Sequence, residues 1–194
     1  MLREVEHVMN ELEKDETFTW KSSIMHHMMF GLQYSDYEAI IDKFLPLAQK
    51  HKYDLFINGH EHQMNYAFVK APPSDKKSTL GQQSQRLDVS LDGTTNGSQN
   101  TQEEQCLQST EVFPQKGPEE QTRHITVPKG DRLNQVTLGA AGRETYPICP
   151  SNLAESQGQF IYGQNKYNGF GLVHVTAEAI EVMYKGVESG GGKG

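Results

Sequence analysis

Two histidines separated by one residue, in Gly59-His60-Glu61-His62, follow directly on the apolar run Tyr53-Asp54-Leu55-Phe56-Ile57. Imidazole is the commonest protein ligand for first-row metal ions, and it binds them as the neutral ring. A buried strand that stops at a glycine and runs at once into two imidazoles presents both on a tight loop at its carboxyl end, where α/β sheets gather their chemistry. Gly59 is expected there for its tolerance of φ > 0 or of close approach to an ion. A lone H-x-H pair is equally compatible with two solvated loop histidines. The argument for metal comes from a second site, because the strand-like Trp20-Lys21-Ser22-Ser23-Ile24-Met25 also ends in histidines, at His26 and His27.

The intervening residues decide whether the two sites meet. Tyr37, Ile40, Ile41, Phe44, Leu45 and Ala48 recur at helical spacing between Tyr37 and His51. Strand, helix, strand is a crossover that returns the second strand parallel to the first in the same sheet. Both histidine loops are then expected at one edge, with three imidazoles in reach of a common point. Pro46 falls within the helical stretch and is expected to kink it or divide it into two short helices. His51, between Lys50 and Lys52, is read as a helix C-cap facing the last carbonyls. Residues 2–13 form an amphipathic helix with Leu2, Val5, Val8, Met9 and Leu12 on one face and a solvated His7. Met64 to Val69 alternates as a half-buried strand.

The ordered set Trp20-Lys21-Ser22-Ser23-Ile24-Met25-His26, then Leu45-Pro46-Leu47, then Tyr53 to His62 resembles the second half of a calcineurin-like metallophosphoesterase. It is most similar to the tartrate-resistant, low-molecular-weight purple acid phosphatases. Val136-Thr137-Leu138-Gly139-Ala140-Ala141-Gly142 resembles that family's strand and glycine-rich turn, and Gly169 to Val175 with Ile180 to Tyr184 resembles its closing hairpin. The fold implied is α/β, half of a β-sandwich flanked by helices, built from residues 1–70 and 123–189. The resemblance implies phosphate monoester hydrolysis by a dinuclear centre of Fe with Fe, Zn or Mn. Carried over by motif, His26 and His60 would bind the divalent ion and His62 the ferric ion. His27 would line the pocket, and Glu61 would point away from the metals as a solvated residue or a support for a ligand.

The family's D-x-H, G-D-x-x-Y and G-N-H-[DE] motifs are expected to precede Met1, so the chain is read as a C-terminal half whose activity alone is doubtful and which needs its complement. Gly130-Asp131-Arg132-Leu133-Asn134 matches G-D-x-x-[DNY] in letters but follows the turn-like Val127-Pro128-Lys129, so it is read as a polar turn. Two other readings stay open. One is a non-catalytic protein holding a single zinc ion on His26, His60 and His62; the other is a different metallophosphoesterase such as a phosphodiesterase.

Composition narrows the classes. A formal charge of −7 with no basic stripe argues against a nucleic-acid surface. No apolar run approaches the roughly 20 residues that span a bilayer, and the first residues lack the basic and apolar regions of a signal peptide, although the family's members are often secreted or lysosomal. Residues 71–122 are rich in Ser, Gln, Thr and charge, and are expected to be an unstructured insertion; residues 190–194 are a glycine-rich tail. Cys106 and Cys149 imply no disulfide framework, and a single bridge between them is left open.

Overall fold

The computed structural model describes residues 2–69, 106–113, 122–127 and 132–187. In chain order the elements are α1 (Leu2–Glu13), β1 (Ser22–Ile24), α2 (Glu38–Lys43), α3 (Leu45–Lys50), β2 (Leu55–Asn58), β3 (Met64–Val69), β4 (Glu111–Val112), β5 (Thr122–Val127), β6 (Asn134–Leu138), α4 (Pro150–Glu155), β7 (Gly158–Gln164), β8 (Asn168–Val175) and β9 (Ile180–Val187). They form a mixed sheet in the order β1-β2-β6-β3-β7-β4 and a three-stranded antiparallel sheet in the order β5-β9-β8.

Alternation along the strands separates the molecule into layers. Phe56 packs on the helical side with Met9, Ile41, Phe44 and Ala48, while its neighbour Leu55 packs on the opposite face with Val136, Val127, Val182 and Tyr184. Successive strand side chains point to opposite faces, so one sheet serves two cores, with helices on one side and the small sheet on the other. Burial of each such large side chain contributes about 1.5–3 kcal/mol. A bulge between Tyr66 and Ala67 lets β3 follow β7, where Tyr66 pairs with Tyr162 and Ala67 with Phe160.

The expected crossover is present: β1 and β2 are parallel, with Ser23 opposite Phe56. The helical stretch 37–51 is divided, as Pro46 lies in the first turn of α3 and Phe44 caps the C-terminus of one helix and the N-terminus of the next. On α1 the buried stripe is narrower than the apolar spacing suggests, since Met9 is buried while Val8 and Leu12 are exposed. His51 does occupy the C-cap of α3, but its ring turns inward, fully buried, with Nδ1 3.1 Å from Glu13 Oε1. Neither ring nitrogen makes a hydrogen bond, to the helix carbonyls or otherwise.

One expectation changes. Part of the stretch read as an unstructured insertion is ordered, because Cys106 is disulfide-bonded to Cys149. Leu107 bridges Ile148, and β4 adds an edge strand to β7. A covalent tether and a sheet edge supply the ordering energy that the composition lacks. The remainder of that stretch, 71–105 and 114–121, lies outside the described residues, as do Gly130-Asp131 and the tail at 190–194. The closing hairpin forms from β8 and β9, but β5 pairs along the other side of β9, a strand whose short alternating pattern at the insertion boundary gave no signal. β1 pairs with β2 alone among the described residues, and Ile24 on it is 76% exposed.

Candidate metal centre

The loop after β1 and the loop after β2 lie side by side. Gly59 N donates to His26 O at 3.1 Å, a contact that follows from the parallel register. His26 Nε2 stands 3.2 Å from His60 Nδ1, and the rings of His27 and His60 are 4.2 Å apart by centroid. One nitrogen from each of His26, His27 and His60 lies within 4.8 Å of the other two, and this is the group of three potential ligands so gathered among the described residues. Zinc–nitrogen bonds of about 2.0–2.1 Å imply a tetrahedral edge of about 3.3 Å. The closest pair already stands near that separation.

Two features of the rings suit coordination. His27 Nδ1 is buried with no hydrogen-bond partner, and an orphaned buried polar atom is costly unless something satisfies it. Burial, then the neighbouring His27, His26 and His62 charges, hold the His60 imidazole below its ordinary value, which favours the neutral, ligating form. The group contains imidazoles alone. It therefore fits one borderline ion such as zinc, while a bridged pair of hard iron ions requires oxygen donors that the described residues do not bring into the group.

His62 is placed differently. Its Nδ1 lies 2.9 Å from Glu144 O, and its ring stacks on Tyr146 at 4.0 Å and 17°. Because a carbonyl only accepts, Nδ1 carries the proton and the free lone pair is on Nε2. That is the second-ligand support seen behind coordinating histidines, yet His62 stands outside the three-imidazole group. His27, read from sequence as pocket lining, stands inside it. Its only sequence signal was adjacency to His26.

The backbone of the histidine loop departs from expectation at one position. The positive φ falls on His60, at 65°, and not on Gly59; histidine is among the residues that enter this region more readily than most. Glycine is sterically required instead at Gly139, where a Cβ would come within 1.7 Å of Glu61 O, and at Gly31, where it would come within 2.3 Å of Tyr34 O.

Glu61 is the residue that the sequence described least well. It points away from the imidazoles, as expected, but it is fully buried and not solvated. Its carboxylate accepts from the backbone N–H groups of Leu32, Gln33 and Tyr34 at 2.8–3.0 Å. Burial pushes its acidity toward higher pH while these amides pull the other way. The neighbouring turn is held by Gln135 on β6, whose Oε1 accepts from Met29 and Phe30 N–H and whose Nε2 donates to Phe30 O. Met28, Met29, Phe30 and Leu32 are buried beneath it. The loop that begins at His26 is thereby fixed by two buried side chains, one from the loop after β2 and one from β6.

The resulting rim carries aromatic rings. His27 stacks on Tyr37 at 4.9 Å, and Tyr34 lies 5.7 Å from His60. An open cleft beside His60 is lined by Tyr34, Ser35, Asp36, Tyr37 and Glu38. Asp36 is committed to structure, accepting from Ser156 Oγ and Gln157 N–H. No family model and no curated protein matches the chain.

Proposed function

We propose that this chain acts in metal-dependent phosphoester hydrolysis of the acid phosphatase type, on phosphate monoesters. The observation that carries the reading is the convergence of His26, His27 and His60 at the carboxyl ends of two parallel strands. His26, His27 and His60 would hold the ion as neutral imidazoles, with His62 beside them, its Nε2 kept as the lone-pair nitrogen by the Glu144 carbonyl. A bound divalent ion supplies Lewis acidity toward a phosphoryl oxygen and lowers the pKa of water. The chain's own part is positional. Glu61 and Gln135 fix the His26 loop from beneath, and Tyr34 and Tyr37 wall the cleft in which an ester would lie. A second ion, and with it the dinuclear Fe–Fe, Fe–Zn or Fe–Mn centre, would need carboxylate donors beyond this group of imidazoles.

The all-imidazole donor set also favours a second reading, a mononuclear zinc site without hydrolytic activity. One experiment separates the two. Purified protein is loaded with zinc or iron, and p-nitrophenyl phosphate hydrolysis is followed alongside metal content in wild type, His26→Ala, His27→Ala and His60→Ala. Hydrolysis that requires metal and disappears in each variant supports the phosphatase. Loss of one equivalent of metal in the variants, with no hydrolysis in wild type at any metal loading, supports the zinc site. Retention of the full wild-type metal content by all three variants sinks both.

A further inference from the structure

On the opposite side of the molecule, the small sheet presents a second set of ligating side chains to solvent. Glu181 lies on the central strand β9. His174 on β8 is its direct partner, and His124 on β5 pairs with Met183, one diagonal step away on the same face. Directly opposite residues on antiparallel strands hold their Cβ atoms about 4.5–5.5 Å apart and diagonal ones about 7–8 Å, within the span that ligands of one ion occupy. Both rings are turned to the same oxygen: His124 Nε2 is 3.7 Å and His174 Nδ1 3.6 Å from Glu181 Oε2.

Those distances are informative. They exceed the roughly 2.7–3.2 Å of a hydrogen bond, so the three groups are not simply a hydrogen-bonded ion pair. They sit close to the edge of about 3.3–3.5 Å that ligands keep around a tetrahedral ion bonded at about 2.0–2.2 Å. The two imidazoles flank the carboxylate from neighbouring strands, further apart than the 4.8 Å that spans the His26 group. Closing that gap takes a side-chain rotation, and the His174 side chain, 72% exposed, is free to make it. Lys185, on the same face of β9, donates to Thr122 Oγ1.

We propose that His124, Glu181 and His174 form a surface site for a borderline divalent transition ion such as zinc or nickel, with water completing the coordination. Two imidazoles and one carboxylate are the donor set of open zinc sites. An ion bound there links all three strands of the sheet, so binding also stabilises the hairpin β8–β9 against β5. The site is independent of the His26 group and stands or falls separately from the phosphatase reading.

The test is calorimetric titration of the full chain with zinc chloride alone, in wild type, His174→Ala, His124→Ala and Glu181→Gln, repeated in a His26→Ala/His60→Ala background that removes the first site. The expected result is that a zinc-binding event survives in that background and weakens at least tenfold in each of the three surface variants. All three positions are solvent-facing, and circular dichroism confirms that the variants are folded. A nickel arm read by near-ultraviolet and visible absorption reports directly on imidazole coordination. If the background variant binds no zinc, or if its binding is the same with and without His174 and His124, the three residues are only a surface ion pair and the proposal is overturned.

Discussion

The Glu61 carboxylate accepts the backbone N–H of Tyr34 at 2.9 Å across a sequence separation of 27 residues. The residue between the two motif histidines thus organises the loop that carries the other two. Its charge is matched by three converging amides, a concave arrangement of N–H groups that binds anions in many proteins. Here the anion is built in.

Glu61→Ala is expected to destabilise the fold by about 2–4 kcal/mol, since it strands the buried Leu32 amide and the part-buried amides of Gln33 and Tyr34. It should also weaken zinc binding at the His26 group, because the 32–34 turn loses its anchor. Glu61→Gln, which keeps one acceptor oxygen, should cost less. Urea unfolding combined with zinc titration measures both effects. A Glu61→Ala protein as stable as wild type would contradict the role given to the carboxylate.

Gly139→Ala should be among the most damaging small substitutions in the chain, at about 3 kcal/mol or more, because the added methyl meets the Glu61 carbonyl, which cannot retreat. Gly59→Ala is the contrast. Its Cβ would meet nothing closer than His26 O at 4.0 Å, and its φ is not positive. A change of under about 1 kcal/mol is expected there. Thermal melts of the two variants should therefore diverge clearly.

Reduction of Cys106–Cys149 removes a link between positions 43 residues apart. The chain-entropy model gives about 4 kcal/mol for a loop of that size. Asn165 supports the same region, donating to the Leu107 and Tyr146 carbonyls. Reduced protein should lose protection from amide exchange at 106–113 and β4 first, while β2, β3 and β6 remain protected. Uniform loss across all strands would show that the bridge holds the whole sheet and not its edge.

Three tyrosines in the core between the sheets should make the protein sensitive to alkali. Burial pushes Tyr66 up to about 12 and also raises Tyr162 and Tyr184. The sign follows from the direction of the shifts: below about pH 10 neither folded nor unfolded tyrosines are ionised, and the stability is fully present. Above that pH the unfolded chain releases protons that the folded one keeps, so stability falls by about 1.4 kcal/mol per pH unit per tyrosine. Near-ultraviolet absorbance should show tyrosinate appearing together with the loss of circular dichroism. Ionisation of all eight tyrosines in a still-folded protein at pH 10 would contradict it.

Much of the architecture around the site was written locally. The apolar run at 53–57, the helical spacing at 37–48 and the strand before His26 are patterns of adjacent residues, and pattern plus the handedness of a crossover brings His26 and His60 to one sheet edge. Pro46 marks the break between α2 and α3 in the same local way. What the sequence could not settle were the contacts between parts far apart along it. His62 is held by Glu144, 82 residues away, and the His26 loop by Gln135, more than a hundred residues away. Cys106 found Cys149, giving order to a stretch whose composition promised none, and β5 became a strand because β9 offered it an edge. The choice of His27 over His62 as the third imidazole of the group belongs to the same class. Residue types and spacing fixed which groups were available near the edge, whereas ring orientation depends on side-chain packing and hydrogen bonds that exist only once the strands and loops have closed around them.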